Sequence, residues 1–222
     1  MADADRIAAL TESLLKEIGE FLGWAEYEDH KPRNPFQAYS GLKTFQDRDG
    51  KAWLLTWTTN SFEDRDREVF TQKSIEEFVA RHEQDGKKGE FWFWHLPGSK
   101  MADVQWQGVV GRFLVEAGAF DDGPVGQAFK EFFEAYPDRH PTIAPDGWGT
   151  SHGFSYRAKD REDGVYDWFE KHETSVLPAD VAANQHNPQM EVIEVNQKQI
   201  DALESIGGRE LVDFVVKTGE ER

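Results

Sequence analysis

The sequence predicts an α+β chain: a mostly antiparallel β body with helices inserted between strands and helical segments at both ends. Three observations predict it. Aromatic and β-branched runs recur between residues 37 and 177, apolar residues fall at helical spacing in only a few places, and strands and helices do not alternate as a parallel βαβ sheet requires. The 16 Phe and 8 Trp supply enough bulky apolar surface for a real core.

The elements follow in order. Over residues 4–22, Ile7, Leu10, Leu14, Leu15, Ile18, Phe21 and Leu22 recur at three- and four-residue steps, and Gly23 is a helix stop. Residues 29–35 (DHKPRNP) form a polar link, so 1–35 reads as an N-terminal helix and linker. The body spans 36–185. Gln37–Phe45 and Lys51–Thr59 read as a hairpin around Asp47-Arg48-Asp49-Gly50. Lys73–His82 is helical, with Ile75, Phe78 and Val79 on one face. Glu90–His95 is an aromatic strand, and Val104–Val115 is β-like but interrupted by Gly108 and Gly111. Val125–Tyr136 is a second helix and Pro137–Trp148 a loop. Gly153–Ala158 and Tyr166–Leu177 are strands joined across Asp160–Gly164. The tail, 186–222, is helical in pattern from about residue 190 and is broken by Gly207-Gly208. Its apolar faces need to dock on the body or on a partner.

Composition excludes some functions. A net charge of -17 disfavours nucleic acid and anionic membranes and suits basic protein partners. The absence of cysteine excludes a thiol nucleophile, disulfides and thiolate metal sites, and fits a reducing cytoplasm. The acidic start Met1-Ala2-Asp3-Ala4-Asp5 is unlike a signal peptide, and no apolar run approaches the roughly 18 residues of a membrane span.

The chemistry gathers at Gly149-Thr150-Ser151-His152-Gly153-Phe154. Small neighbours leave the Ser151 hydroxyl open to a carbonyl. His95 upstream and His172-Glu173 downstream supply the parts of a proton relay. Gly149-x-Ser151-x-Gly153 also matches the nucleophile elbow of an esterase-type hydrolase, which needs a helix directly after the serine. On a strand His172 and Glu173 point to opposite faces; Tyr166, Trp168 and Val176 go with His172, and Phe169, Ser175 and Leu177 with Glu173. His82-Glu83 and His172-Glu173 lack the second histidine of a zinc helix, since Gly86 and Val176 stand there. His140, His152 and His186 read as scattered loop residues. No metal or cofactor is expected.

Three blocks together resemble the prohead (capsid maturation) serine proteases of tailed bacteriophages, distantly similar to the herpesvirus assemblins. One is Asn60–Phe78, with Asp64-Arg65-Asp66-Arg67-Glu68-Val69-Phe70 as a polar turn before a helix. The next is Trp94-His95 followed by Gln107-Gly108-Val109-Val110-Gly111. The last is Ser151-His152-Gly153-Phe154, then Glu173-Thr174-Ser175-Val176-Leu177-Pro178-Ala179. The resemblance implies a β-barrel core with flanking helices and makes 36–185 the protease domain. It implies Ser151 as nucleophile, His95 as general base and Glu173 as third member, with His172 in that place in an assemblin-like version. It further implies cleavage of major capsid protein and scaffold protein inside a procapsid in the host cytoplasm, by a chain that can also self-associate. Two departures stand out: His152 replaces a small apolar residue, and no arginine follows Pro178 shortly. Backbone N–H groups are therefore the default oxyanion donors. An inactive scaffold or internal capsid protein of the same fold is the alternative outside hydrolysis.

Overall fold

The structure, a computed structural model, describes residues 42–47, 49–184 and 197–220. The expected helix at 4–22, the link at 29–35 and the stretch 186–196 lie outside the described residues.

Strands β1 (Leu42–Gln46) and β2 (Ala52–Asn60) form the expected hairpin. Its turn is built by Asp47, whose Oδ1 accepts from the Asp49 and Lys51 N–H groups at 2.9 and 2.8 Å, while Gly50 takes φ 80°. The β-like stretch Val104–Val115 belongs to two strands. These are β6 (Trp106–Val110) and β7 (Phe113–Ala119), folded back at Gly111, which has φ 59°. One four-stranded antiparallel sheet results, in the order β1-β2-β7-β6.

The second four-stranded sheet, in the order β5-β4-β11-β8, carries the chemistry. It comprises β4 (Glu90–Phe93), β5 (Ala102–Asp103), β8 (Trp148–Tyr156) and β11 (Phe169–Pro178). β11 runs antiparallel to β8 and parallel to β4. A small sheet joins β3 (Val69–Phe70), β10 (Val165–Tyr166) and β9 (Arg161–Glu162).

Helix α1 (Gln72–Asp85) starts where Thr71 Oγ1 accepts from the Ser74 N–H at 3.1 Å and ends at Gly86 with φ 64°. It buries Ile75, Phe78 and Val79 against Phe70, Leu114, Tyr166 and Phe169. Helix α2 (Pro124–Ala135) opens on Pro124 and buries Phe132 and Phe133 beside Phe93 and Trp148. Helix α3 (Gln197–Glu220) kinks at Gly208, φ 68°. Its Leu203, Leu211 and Val212 pack on Leu55, Trp57, Val110 and Phe113, so this part of the tail docks on the body.

The architecture is α+β with mostly antiparallel pairing, but the described strands do not close into a barrel. At one junction β5 meets the residue that follows β7 through the isolated bridge Ala102–Phe120. At the other, β8 meets β2 through a side chain: Thr150 Oγ1 donates toward the Trp57 carbonyl at 2.9 Å and lies 3.2 Å from that of Thr58. A hydroxyl in this seam replaces the backbone ladder that closure requires.

Candidate active site

β4, β11 and β8 lie side by side, so residues on one face of these strands share one surface. In the β11–β8 ladder Ser175 stands opposite Ser151 and Glu173 opposite Gly153. Side-chain alternation puts Ser151, Ser175 and Glu173 on that face.

The histidine arrives by a left-handed turn. β4 ends at Phe93, and Trp94 and His95 both take φ 55°. Non-glycine residues in this region cost roughly 1 kcal/mol or more each, and such strain persists where the surroundings over-determine it. The surroundings here are β11. The Trp94 N–H donates to the Val176 carbonyl at 3.1 Å, and the His95 N–H to Ser175 Oγ at 2.8 Å. The turn reverses the chain so that the His95 ring lies over Glu173, with Nδ1 2.6 Å from Oε1. The His95 side chain is 41% exposed and that of Glu173 only 9%.

Burial alone would raise the Glu173 carboxyl. Hydrogen bonds from His95, Ser175 and the Gly153 N–H, with the His95 charge, outweigh it and hold Glu173 below its usual value. Ser175 Oγ donates to Oε2 at 2.7 Å. Gly153 makes the approach possible, since a Cβ there would sit 2.6 Å from Glu173 Oε1.

The structure thus brings His95 and Glu173 into contact and sets Ser151 one strand away, across from Ser175. No hydrogen bond joins Ser151 to His95 among the described residues. His172 is not part of this group: its ring meets Ser155 Oγ at 3.1 Å and is exposed. A β-bulge explains this. Lys171 pairs with Phe154 and Glu173 with Gly153, which leaves His172 unpaired between them. The expected alternation is corrected at the same point. Phe169 and Lys171 face the core, whereas Glu173 and Ser175 face the site. Lys171 meets Glu116 Oε1 at 2.9 Å with both side chains fully buried, and Thr174 and Thr58 each donate to Glu116 Oε2 at 2.7 Å. Neither Glu116 nor Lys171 carried any signal in the sequence; Ser175 did, through its two-residue spacing from Glu173.

Two other expectations change. Ser151 lies within a nine-residue strand that continues to Tyr156, so the helix a nucleophile elbow needs is absent. His152 belongs to that strand, not to a loop. Its ring packs against Phe70, Phe154 and Phe169, and its two buried nitrogens have no hydrogen-bond partner among the described residues. Burial, aided by the Lys171 charge, pushes His152 down from 6.5 to about 3.

This predicts a pH effect. The folded pKa lies below the unfolded one, so the unfolded chain takes up the proton first and stability falls as pH drops below about 6.5. Urea unfolding at pH 7 and pH 5 is expected to show a loss about 2 kcal/mol larger in the parent than in His152→Phe. Equal losses would show that His152 is not buried neutral.

No group of three or more metal-ligating side chains is found among the described residues, and no described helix is long and apolar enough to cross a membrane. No family model and no curated protein matches the chain. Among solved structures, the capsid assembly protease of bacteriophage T4 is similar at a TM-score of 0.40 and 8% identity, over 61% of this chain and 94% of that one. A score this low does not establish a common fold.

Proposed function

We propose that this chain is a serine endopeptidase of the prohead type. The observation that carries the proposal is the His95–Glu173 contact, 2.6 Å from Nδ1 to Oε1, beside a small serine on the next strand. The three sequence blocks that resemble the prohead proteases supply the substrate class: the arms of a phage capsid protein and its scaffold, cut inside the procapsid in the host cytoplasm.

The chemistry follows from the atoms. Glu173 accepts the Nδ1–H of His95, which fixes the tautomer and leaves Nε2 to act as base. Ser151 Oγ attacks the peptide carbonyl carbon as its proton passes to Nε2. The tetrahedral intermediate collapses when Nε2 gives that proton to the departing amine. Water, deprotonated by the same nitrogen, then cleaves the ester and regenerates Ser151. The free-state separation of Ser151 and His95 closes as substrate binds, as catalytic hydrogen bonds commonly tighten in the complex.

A fluorophosphonate tests the proposal, because only an activated serine reacts with it. The parent is expected to label at Ser151, and Ser151→Ala to lose both labelling and cleavage of the capsid substrate while keeping its melting temperature. The side chain is small and only partly buried, so its loss costs little packing. A parent that neither labels nor cleaves would be the inactive scaffold protein instead; a Ser151→Ala variant that still cleaves would place the nucleophile elsewhere.

A further inference from the structure

We infer that Ser175 is the positioning residue of the site, the group that holds both His95 and Glu173 in register for proton transfer. This rests on the serine protease reading above. It goes beyond that reading because Ser175 takes no part in the bond-making steps.

The observation is one hydroxyl with two jobs. Ser175 Oγ donates its proton to Glu173 Oε2 at 2.7 Å and accepts the main-chain N–H of His95 at 2.8 Å. The side chain is fully buried, so water does not compete for either bond. The two contacts control different degrees of freedom. The bond to Glu173 occupies the carboxylate oxygen that His95 does not use, which leaves Oε1 for Nδ1. The bond from His95 N–H pins the backbone of a residue in the left-handed region, where it would otherwise relax. The base and its acid are thereby referenced to a single atom on β11. Ser175 also stands directly across the ladder from Ser151, so that atom sits on the rung that carries the nucleophile.

An ordinary core serine would satisfy itself on a nearby backbone carbonyl; this one spends its proton on a carboxylate and its lone pair on the base. Removing it leaves Glu173 Oε2 and the His95 N–H without their partners. The Glu173 carboxylate then loses one of the donors that hold it ionised, and His95 is free to drift. Misplacement on the ångström scale costs about 100-fold in a reaction that depends on oriented groups.

The test uses the full chain and three proteins: parent, Ser175→Ala and Ser175→Thr. The saturating rate of fluorophosphonate labelling is expected to fall about 10- to 100-fold in Ser175→Ala, with the half-saturating probe concentration little changed. The acid limb of the rate should move to higher pH, because the carboxylate is less well stabilised. Ser175→Thr keeps the hydroxyl on a β-branched side chain that suits a strand and should recover most of the rate. A second readout needs no activity: the carbon-13 titration of the Glu173 carboxyl should shift upward in Ser175→Ala and return in Ser175→Thr. A merely structural serine would lower the melting temperature without moving that titration. An Ala variant with parental rate and an unmoved Glu173 titration overturns the inference and leaves the protease reading standing. A parent that does not label at all removes that reading and takes the inference with it.

Discussion

Glu173→Gln is expected to slow the labelling of Ser151 by about four orders of magnitude, while His172→Gln stays within about twofold of the parent. The asymmetry comes from proton placement. In the proposed mechanism the glutamate only accepts, so His95 carries its proton on Nδ1, 2.6 Å away, and Nε2 is free to take the Ser151 proton. A glutamine amide can turn its NH2 toward Nδ1. The imidazole then carries its proton on Nε2, and the base is lost with its geometry intact; loss of a triad acid in this way typically costs about 10⁴ in rate. Ser175 sharpens the argument, because its hydroxyl donates to Oε2 and is satisfied by the amide oxygen. That favours the amide with its nitrogen toward His95, the damaging orientation. His172 has no such route to His95: it is the unpaired residue of the bulge, and its ring rests on Ser155. Saturation kinetics on the two purified variants decide the matter. If His172→Gln is the slow one, the histidine–serine–histidine arrangement applies; if neither is slow, Ser151 does not depend on His95 through Glu173.

Much of this was legible in the sequence, for local reasons. The Asp47–Gly50 turn and the apolar faces of α1 and α2 are fixed by residues within a turn or two of each other. The grouping of Ser175 with Glu173 follows from period-two alternation alone. What was hidden is non-local. The bulge at His172 is set by pairing with β8, not by the residues around His172, and it reverses the face assigned to Phe169. Trp94 and His95 read as strand because aromatic residues favour strands; contacts from β11 override that preference and turn them left-handed. The described strands show no closed barrel, and at the β8–β2 seam Thr150 uses its side chain where a ladder would run. Glu116 and Lys171 lie 55 positions apart, and nothing in either neighbourhood marks them as a buried pair.

That pair carries the second large effect. A one-residue slip of β11 along β8 would exchange its faces, sending Glu173 toward the core and Lys171 toward the site. The Glu116 carboxylate opposes the slip, since it holds Lys171 Nζ at 2.9 Å in a fully buried setting and takes hydroxyl protons from Thr58 and Thr174. Breaking such a pair from one side leaves an uncompensated charge in the core, which costs about 3–5 kcal/mol; replacing both members by apolar residues of similar volume is often neutral. Lys171→Met is therefore expected to lower unfolding stability by about 3–5 kcal/mol, and Glu116→Leu by a similar amount. The double variant should recover most of the loss. Urea titrations with unchanged slope would read this as stability rather than altered compactness. Register supplies a further measurement. The double variant lacks the Lys171–Glu116 pair that selects the face of β11, so its fluorophosphonate labelling should fall even where its stability does not. A double variant that is stable and labels at the parental rate would show that the Gly153–Glu173 rung holds the register without help from the buried pair.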